Sequence, residues 1–222
     1  MAALNITDLA GVVYSSGKVF DGLRTGRLDT ENFLRSGSLE GVTSRSDLAL
    51  LQDMRDVAQF VVNYGNQPID ARFVCEVNAQ LTRSAAIEPG KLRAADPPIG
   101  VNTRHGRHDP KALTDAGLQQ IIDGSLAAGD PDENALDLFV DLAKAQPFQD
   151  GNKRTALFVA NARLLGARNN RMLTIPVDEN DPSVADRFND LLARAYMFDE
   201  HDSVKGMLRE TGLVDIEPQT RL

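Results

Sequence analysis

The sequence has 222 residues, enough for one self-sufficient domain with a small appendage, and its 24 Lys+Arg against 32 Asp+Glu leave a formal net charge of −8. That balance argues against binding driven by the charge of DNA, RNA or an anionic lipid surface. A single cysteine, Cys75, excludes an internal disulfide, the histidines His105, His108 and His201 lack zinc spacing, and neither a basic leader nor ~20 consecutive apolar residues are present, so the cytoplasm is the expected compartment.

With 42% apolar residues, 5% aromatic and no Trp, the composition suits helices rich in Ala and Leu. Residues 1–29 carry weak periodicity and end in a charged, Gly-containing stretch, which reads as an N-terminal arm, either ordered or mobile. From Asp47 to Tyr64, the spacing of Leu50, Leu51, Met54, Val57 and Val61 predicts a helix closed by Gly65. Asp70 caps a second helix running to about Arg83, with Phe73, Val74, Val77 and Leu81 inward. Residues 88–110 are too rich in Pro and Gly for a helix and too long for an idle connection, so they read as a functional flap, with a hairpin expected from Lys91 to Val101. A third helix follows from Leu113 to Ala128. Asp130-Pro131 pairs a cap with proline at the first helical position and opens a helix with Leu136, Phe139, Val140 and Ala143 on its inner face. Further helices are expected from Asn152 to Leu165, from Asp181-Pro182 through Ala195, and from Ser203 to Glu210 within a C-terminal helix and tail, 201–222.

The most informative run is Gln146-Pro-Phe-Gln-Asp-Gly-Asn-Lys-Arg-Thr155, between two of these helices. Gly151 lets main chain approach an anion closely, and the first N–H groups of the following helix have no intrahelical partner and lie at its positive dipole end. Asn152 adds an amide donor. Lys153 and Arg154 are cations where the dipole disfavours them, a cost that a bound polyphosphate reverses. Asp150 is the hard oxygen ligand that Mg²⁺ takes alongside substrate phosphates. Phe148, between polar neighbours, is expected to anchor the loop in the core.

Pro147, Phe148, Asp150, Gly151, Asn152 and Arg154 stand where the Fic/Doc (fido) family has the informative positions of its signature, and the sequence resembles that family from about Thr30 to Phe198. The resemblance implies an all-α Fic fold with a short β-hairpin flap, spanning residues 30–200. It implies ATP and Mg²⁺, and transfer of AMP to a Ser, Thr or Tyr hydroxyl of a target protein. Asp150 would hold the metal, Gly151 and Asn152 would form the anion hole, and Arg154 would contact the outer phosphates. Lys153 is shared with the Doc branch, which moves the γ-phosphate instead.

Two positions depart from the family pattern. Gln146 stands where the family has its general-base histidine, and Leu157 stands where many members have a last arginine. An amide is not basic enough to take the proton of a hydroxyl, so transfer is expected to be weak or redirected. The alternative is a catalytically inactive Fic domain acting as a nucleotide-binding or protein-interaction module of regulatory or antitoxin-like kind. His105 and His108 read as solvated loop residues rather than substitute bases. Ser36, Glu40 and Gly41 resemble the family's inhibitory motif, on an expected helix over 30–41, whose glutamate enters the phosphate pocket. The flap residues Ile99, Gly100 and Val101 are expected to dock an extended target segment by strand addition. A homo-oligomer is left open, and Tyr196, Met197 and Phe198 are assigned no role.

Overall fold

A computed structural model describes residues 5–85, 87–96, 98–168 and 170–216. Residues 1–4 of the expected arm, Pro97 of the flap and 217–222 of the tail lie outside the described residues. A 3₁₀ turn at Ile6–Leu9 leads into α1 (Ala10–Ser16) and a π-helical turn at Gly17–Asp21. Then come α2 (Arg27–Ser36), α3 (Arg45–Tyr64), α4 (Ala71–Asn78), β1 (Val101–Thr103), β2 (Gly106–His108) and α5 (Asp115–Ser125). The chain continues through α6 (Pro131–Ala145), α7 (Asn152–Ala167), β3 (Arg171–Leu173), α8 (Ser183–Phe198), α9 (His201–Met207) and β4 (Leu213–Asp215).

Side-chain caps start the helices, those of Asp70 and Asp130 as expected and that of Ser44 ahead of the expected start at Asp47. Ser44 Oγ accepts the Asp47 N–H at 3.0 Å to open α3, Asp70 accepts that of Phe73 at 2.8 Å to open α4, and Asp130 accepts that of Glu133 at 2.9 Å to open α6. Helix α4 stops at Asn78 rather than near Arg83 because the N–H groups of Arg83 and Ser84 turn to the Asp53 carboxylate, at 3.0 and 2.7 Å. Asp181 accepts the Ser183 N–H at 3.0 Å, so that cap works although α8 begins at Ser183. The last helix begins earlier than expected, at His201, and ends at Met207 in a further π-helical turn.

Helix α7 is the centre of the molecule. It packs along α6 and also meets α3, α4 and α1, and its residues from Arg154 to Ala162 are buried on every side. Its buried Asn161 accepts the Leu173 N–H at 2.9 Å and donates to the carbonyls of Leu157 and Leu173, which ties β3 to the helix. Residues 5–29 are part of this core, since Leu9, Val12 and Val13 have no exposed surface. The Asp47 carboxylate fastens them to α3 by accepting the N–H groups of Arg24 and Thr25, each at 3.0 Å.

The mostly helical architecture with a short hairpin agrees with the sequence, but the hairpin is β1–β2, with Val101 opposite His108 and Thr103 opposite Gly106. The limb from Lys91 onward is otherwise engaged: the Arg93 N–H donates to the Pro147 carbonyl at 2.9 Å. A second antiparallel pair, β3–β4, sets Leu173 opposite Leu213. Among the described residues, no helix is long and apolar enough to cross a membrane.

Candidate functional site

The loop between α6 and α7 is fixed at every turn. Gln146 closes α6 in the left-handed conformation, φ 47°, and its own carbonyl accepts from Arg93 Nε at 2.7 Å. Arg93 is 4% exposed and also donates to the Pro110 carbonyl, so one guanidinium clasps the loop to both limbs of the flap; burial pulls its pKa down. Phe148 is buried, as expected, and is bonded reciprocally to Asn152: its N–H donates to Oδ1 at 2.8 Å and its carbonyl accepts from Nδ2 at 2.9 Å. Asn78 on α4 donates to the Asp150 carbonyl at 3.1 Å and to Thr155 Oγ1 at 3.0 Å. Gly151 has φ 73°, a conformation that favours glycine, and a Cβ there would lie 2.5 Å from Leu81 Cδ1, which would have to shift.

Helix α7 begins at Asn152 without a side-chain cap, leaving its first N–H groups unbonded within the helix. They border a cavity of about 440 Å³, a usual size for a small-molecule site. Its walls are the loop and first turn of α7, the β1 limb of the flap, the face of α8 from Asp186 to Tyr196, and Phe20 and Asp21. Lys153 Nζ sits 4.5 Å above the Phe20 ring, and burial lowers its pKa while the Asp21 charge opposes the fall. Arg154, 4% exposed, donates through Nη1 to Ser84 Oγ at 2.7 Å, and its Nε lies 3.5 Å from Asp21 Oδ2. Burial pushes the Asp21 carboxyl above its ordinary range, against the pull of Arg154 and Lys153. Asp150 is exposed, and its Oδ1 accepts the Gly151 N–H at 2.6 Å.

Gln146, Asp150, Gly151, Asn152, Lys153 and Arg154 thus line one cavity together with Ile99, Gly100 and Val101. Ser36, Glu40 and Gly41 do not line it. Ser36 ends α2 with its Oγ donating to the Asn32 carbonyl at 2.9 Å, and Glu40 is exposed in the turn beyond. The carboxylate beside Arg154 is Asp21, which the sequence placed only in the charged, Gly-containing end of the N-terminal stretch. His105 Nε2 pairs with Asp190 at 2.8 Å and His108 Nε2 with the Lys144 carbonyl at 2.7 Å; neither lines the cavity. Leu157 is wholly buried. Tyr196 lines the cavity, and its buried hydroxyl lies beside Gln146 without a hydrogen bond of regular geometry.

Residues 68–164 match the model of the Fic/DOC family. Over that stretch the chain carries a Fic/DOC family domain. Its fold is similar to that of Fic-1 (residues 134–508) from C. elegans, with a TM-score of 0.66 at 20% identity over 89% of this chain. This chain spans 58% of that worm structure. It is also similar to a Fic domain containing signaling protein from Bacteroides thetaiotaomicron, with a TM-score of 0.63 at 16% identity over 90% of this chain and 78% of that one. At such identities the likeness is one of fold. A comparison with curated proteins finds no match. The matched span of the Fic domain holds the flap and the whole Gln146–Arg154 loop, whereas Asp21 and the α8 wall lie outside it.

Proposed function

We propose that the chain is an ATP-binding Fic domain related to protein adenylyltransferases, in which transfer of AMP to a target hydroxyl is slow. The observation that carries this reading is the state of Gln146. Its amide donates to the Ala143 carbonyl and its Oε1 accepts from Asn152 Nδ2 at 3.1 Å, so both ends of the side chain are engaged. In AMP transfer the target oxygen bonds the α-phosphorus, the bond to the β-phosphate oxygen breaks, pyrophosphate leaves, and the hydroxyl proton must be accepted. An engaged, weakly basic amide does not accept it, and loss of a general base costs about 10²–10⁴ in rate. Binding does not need that group: the start of α7, Lys153 and Arg154 remain disposed for a polyphosphate. Lys153 keeps γ-phosphate transfer of the Doc kind as the variant of this reading.

Asp150 fits a magnesium ligand, being exposed at the cavity with Oδ2 uncommitted. Among the described residues no group of three or more His, Cys, Asp or Glu could hold a metal alone, which suits an ion completed by substrate phosphates. Bound there, Mg²⁺ would neutralise phosphate charge. The β1 limb, at Ile99–Val101, suits an extended target segment. We assign to Asp21, not Glu40, the carboxylate that competes with the outer phosphates, because it is Asp21 that stands beside Arg154.

Titration calorimetry with ATP and Mg²⁺, and transfer of label from α-labelled ATP in a lysate, test this. ATP should bind, and Gln146→His should raise AMP transfer by about 10²-fold or more. No binding at millimolar ATP, even with Asp21→Asn, refutes the nucleotide site; binding without transfer by the His variant leaves a binding module.

A further inference from the structure

Arg154 is held from behind by groups that do not reach the cavity. Its Nη1 donates to Ser84 Oγ at 2.7 Å, and that oxygen donates in turn to Asp53 Oδ2 at 2.7 Å. A serine hydroxyl has one proton and two lone pairs, so once the proton is committed to Asp53 only lone pairs face the guanidinium. Asp53 is wholly buried on α3 and cannot turn away, because it also accepts the N–H of Ser84 at 2.7 Å and Nη1 of Arg83 at 3.0 Å. The Asp53 charge thereby reaches Arg154 through one hydroxyl, and hydrogen bonds to ionised groups at both ends reinforce each other. The other anchor is looser: Asp21 Oδ2 is 3.5 Å from Nε.

We infer that Asp53 and Ser84 form a relay that presents Arg154, already oriented, to the outer phosphates of a bound nucleotide. They are positioning residues, and the inference rests on the nucleotide-binding reading above. An arginine left to rotate would have to be ordered by each arriving ligand, at a cost in side-chain entropy that the relay has already met.

The test uses the full chain and Ser84→Ala, which removes only the hydroxyl of a half-buried side chain. Calorimetry with Mg²⁺ and ATP should show binding about threefold to tenfold weaker, with AMP unaffected and Ser84→Thr restoring the loss. In an Arg154→Ala background, Ser84→Ala should cost nothing further. A second measurement needs no nucleotide: hydrogen exchange at ¹⁵N-labelled Arg154 Nε–H, assigned through Arg154→Lys, should quicken in Ser84→Ala and slow again in Ser84→Thr. Equal losses for ATP and AMP, additive losses in the two backgrounds, or unchanged exchange would overturn the relay. Absence of ATP binding by both the unaltered chain and Asp21→Asn would instead remove the nucleotide reading, and with it the ligand the relay serves.

Discussion

Replacing Asp21 by Asn keeps the volume of the side chain and removes its charge from beside Arg154. Unit charges about 4 Å apart interact by about 1 kcal/mol in water and about 4 kcal/mol at an effective dielectric of 20. The separation here is 3.5 Å, the Arg154 side chain is 5% exposed and that of Asp21 24%, so solvent reaches one partner and the lower part of that range applies. Relief of about 1–2 kcal/mol corresponds to roughly 5- to 30-fold tighter ATP. AMP has no outer phosphate to meet Arg154, and its affinity should stay within about twofold. Calorimetry with both nucleotides measures the difference. The pH dependence has a definite sign. Burial raises the Asp21 pKa, so the carboxyl loses its charge at a higher pH than an ordinary aspartate, and below that range it no longer competes. The advantage of Asp21→Asn over the unaltered chain should therefore be full above the raised value and shrink as pH falls through it. Equal gains for ATP and AMP, or weaker ATP binding by Asp21→Asn, would refute the assignment.

Glu40→Gly serves as its counterpart: Glu40 is exposed outside the cavity, so ATP affinity should move by less than about twofold, and a gain equal to that of Asp21→Asn would return the role to Glu40. Gly151→Ala combines a left-handed φ of 73° with a Cβ 2.5 Å from Leu81 Cδ1, which should cost roughly 2–4 kcal/mol, seen as a lower urea midpoint at unchanged slope; an unaltered midpoint would show that the loop gives way freely. Asp47→Ala strands the N–H groups of Arg24 and Thr25 and should cost about 1–3 kcal/mol at pH 7. Burial pushes the Asp47 pKa up, but its hydrogen bonds outweigh that and leave it lowered, so its stabilisation is present above the ordinary carboxylate range and lost as pH falls through the depressed value. Denaturation midpoints of the two chains should converge in acid; a gap that widens would refute this.

Local signals were the legible ones. Asp70 and Asp130 announce helix starts because a cap acts within three residues, and the Gln146–Arg154 run announces its part of the cavity because that part lies within one loop and the first turn of one helix. What was hidden depends on contacts between segments far apart in the chain. Arg83 and Ser84 continue a helical pattern in sequence, yet a buried carboxylate from α3 takes their N–H groups and ends α4 early. Arg93 reads as one more flap cation until the loop it clasps is beside it. Asp21 was obscured by its irregular π-helical turn, whose spacing has no amphipathic period to detect.

The rooting of α1 in the core has a consequence for how the cavity answers to nucleotide. A competing carboxylate on a detachable segment gives a site that is shut until the segment lets go, with a threshold in its response. Asp21 closes the turn that follows a helix whose Val12 and Val13 have no exposed surface, so it is carried on a segment rooted in the core. On the proposed reading, nucleotide occupancy should then rise as a plain hyperbola whose half-saturation point is set in part by one negative charge. Anything that cancels that charge, whether acid, a divalent cation or a lysine brought by a docked protein, slides the whole curve to lower concentration without changing its shape.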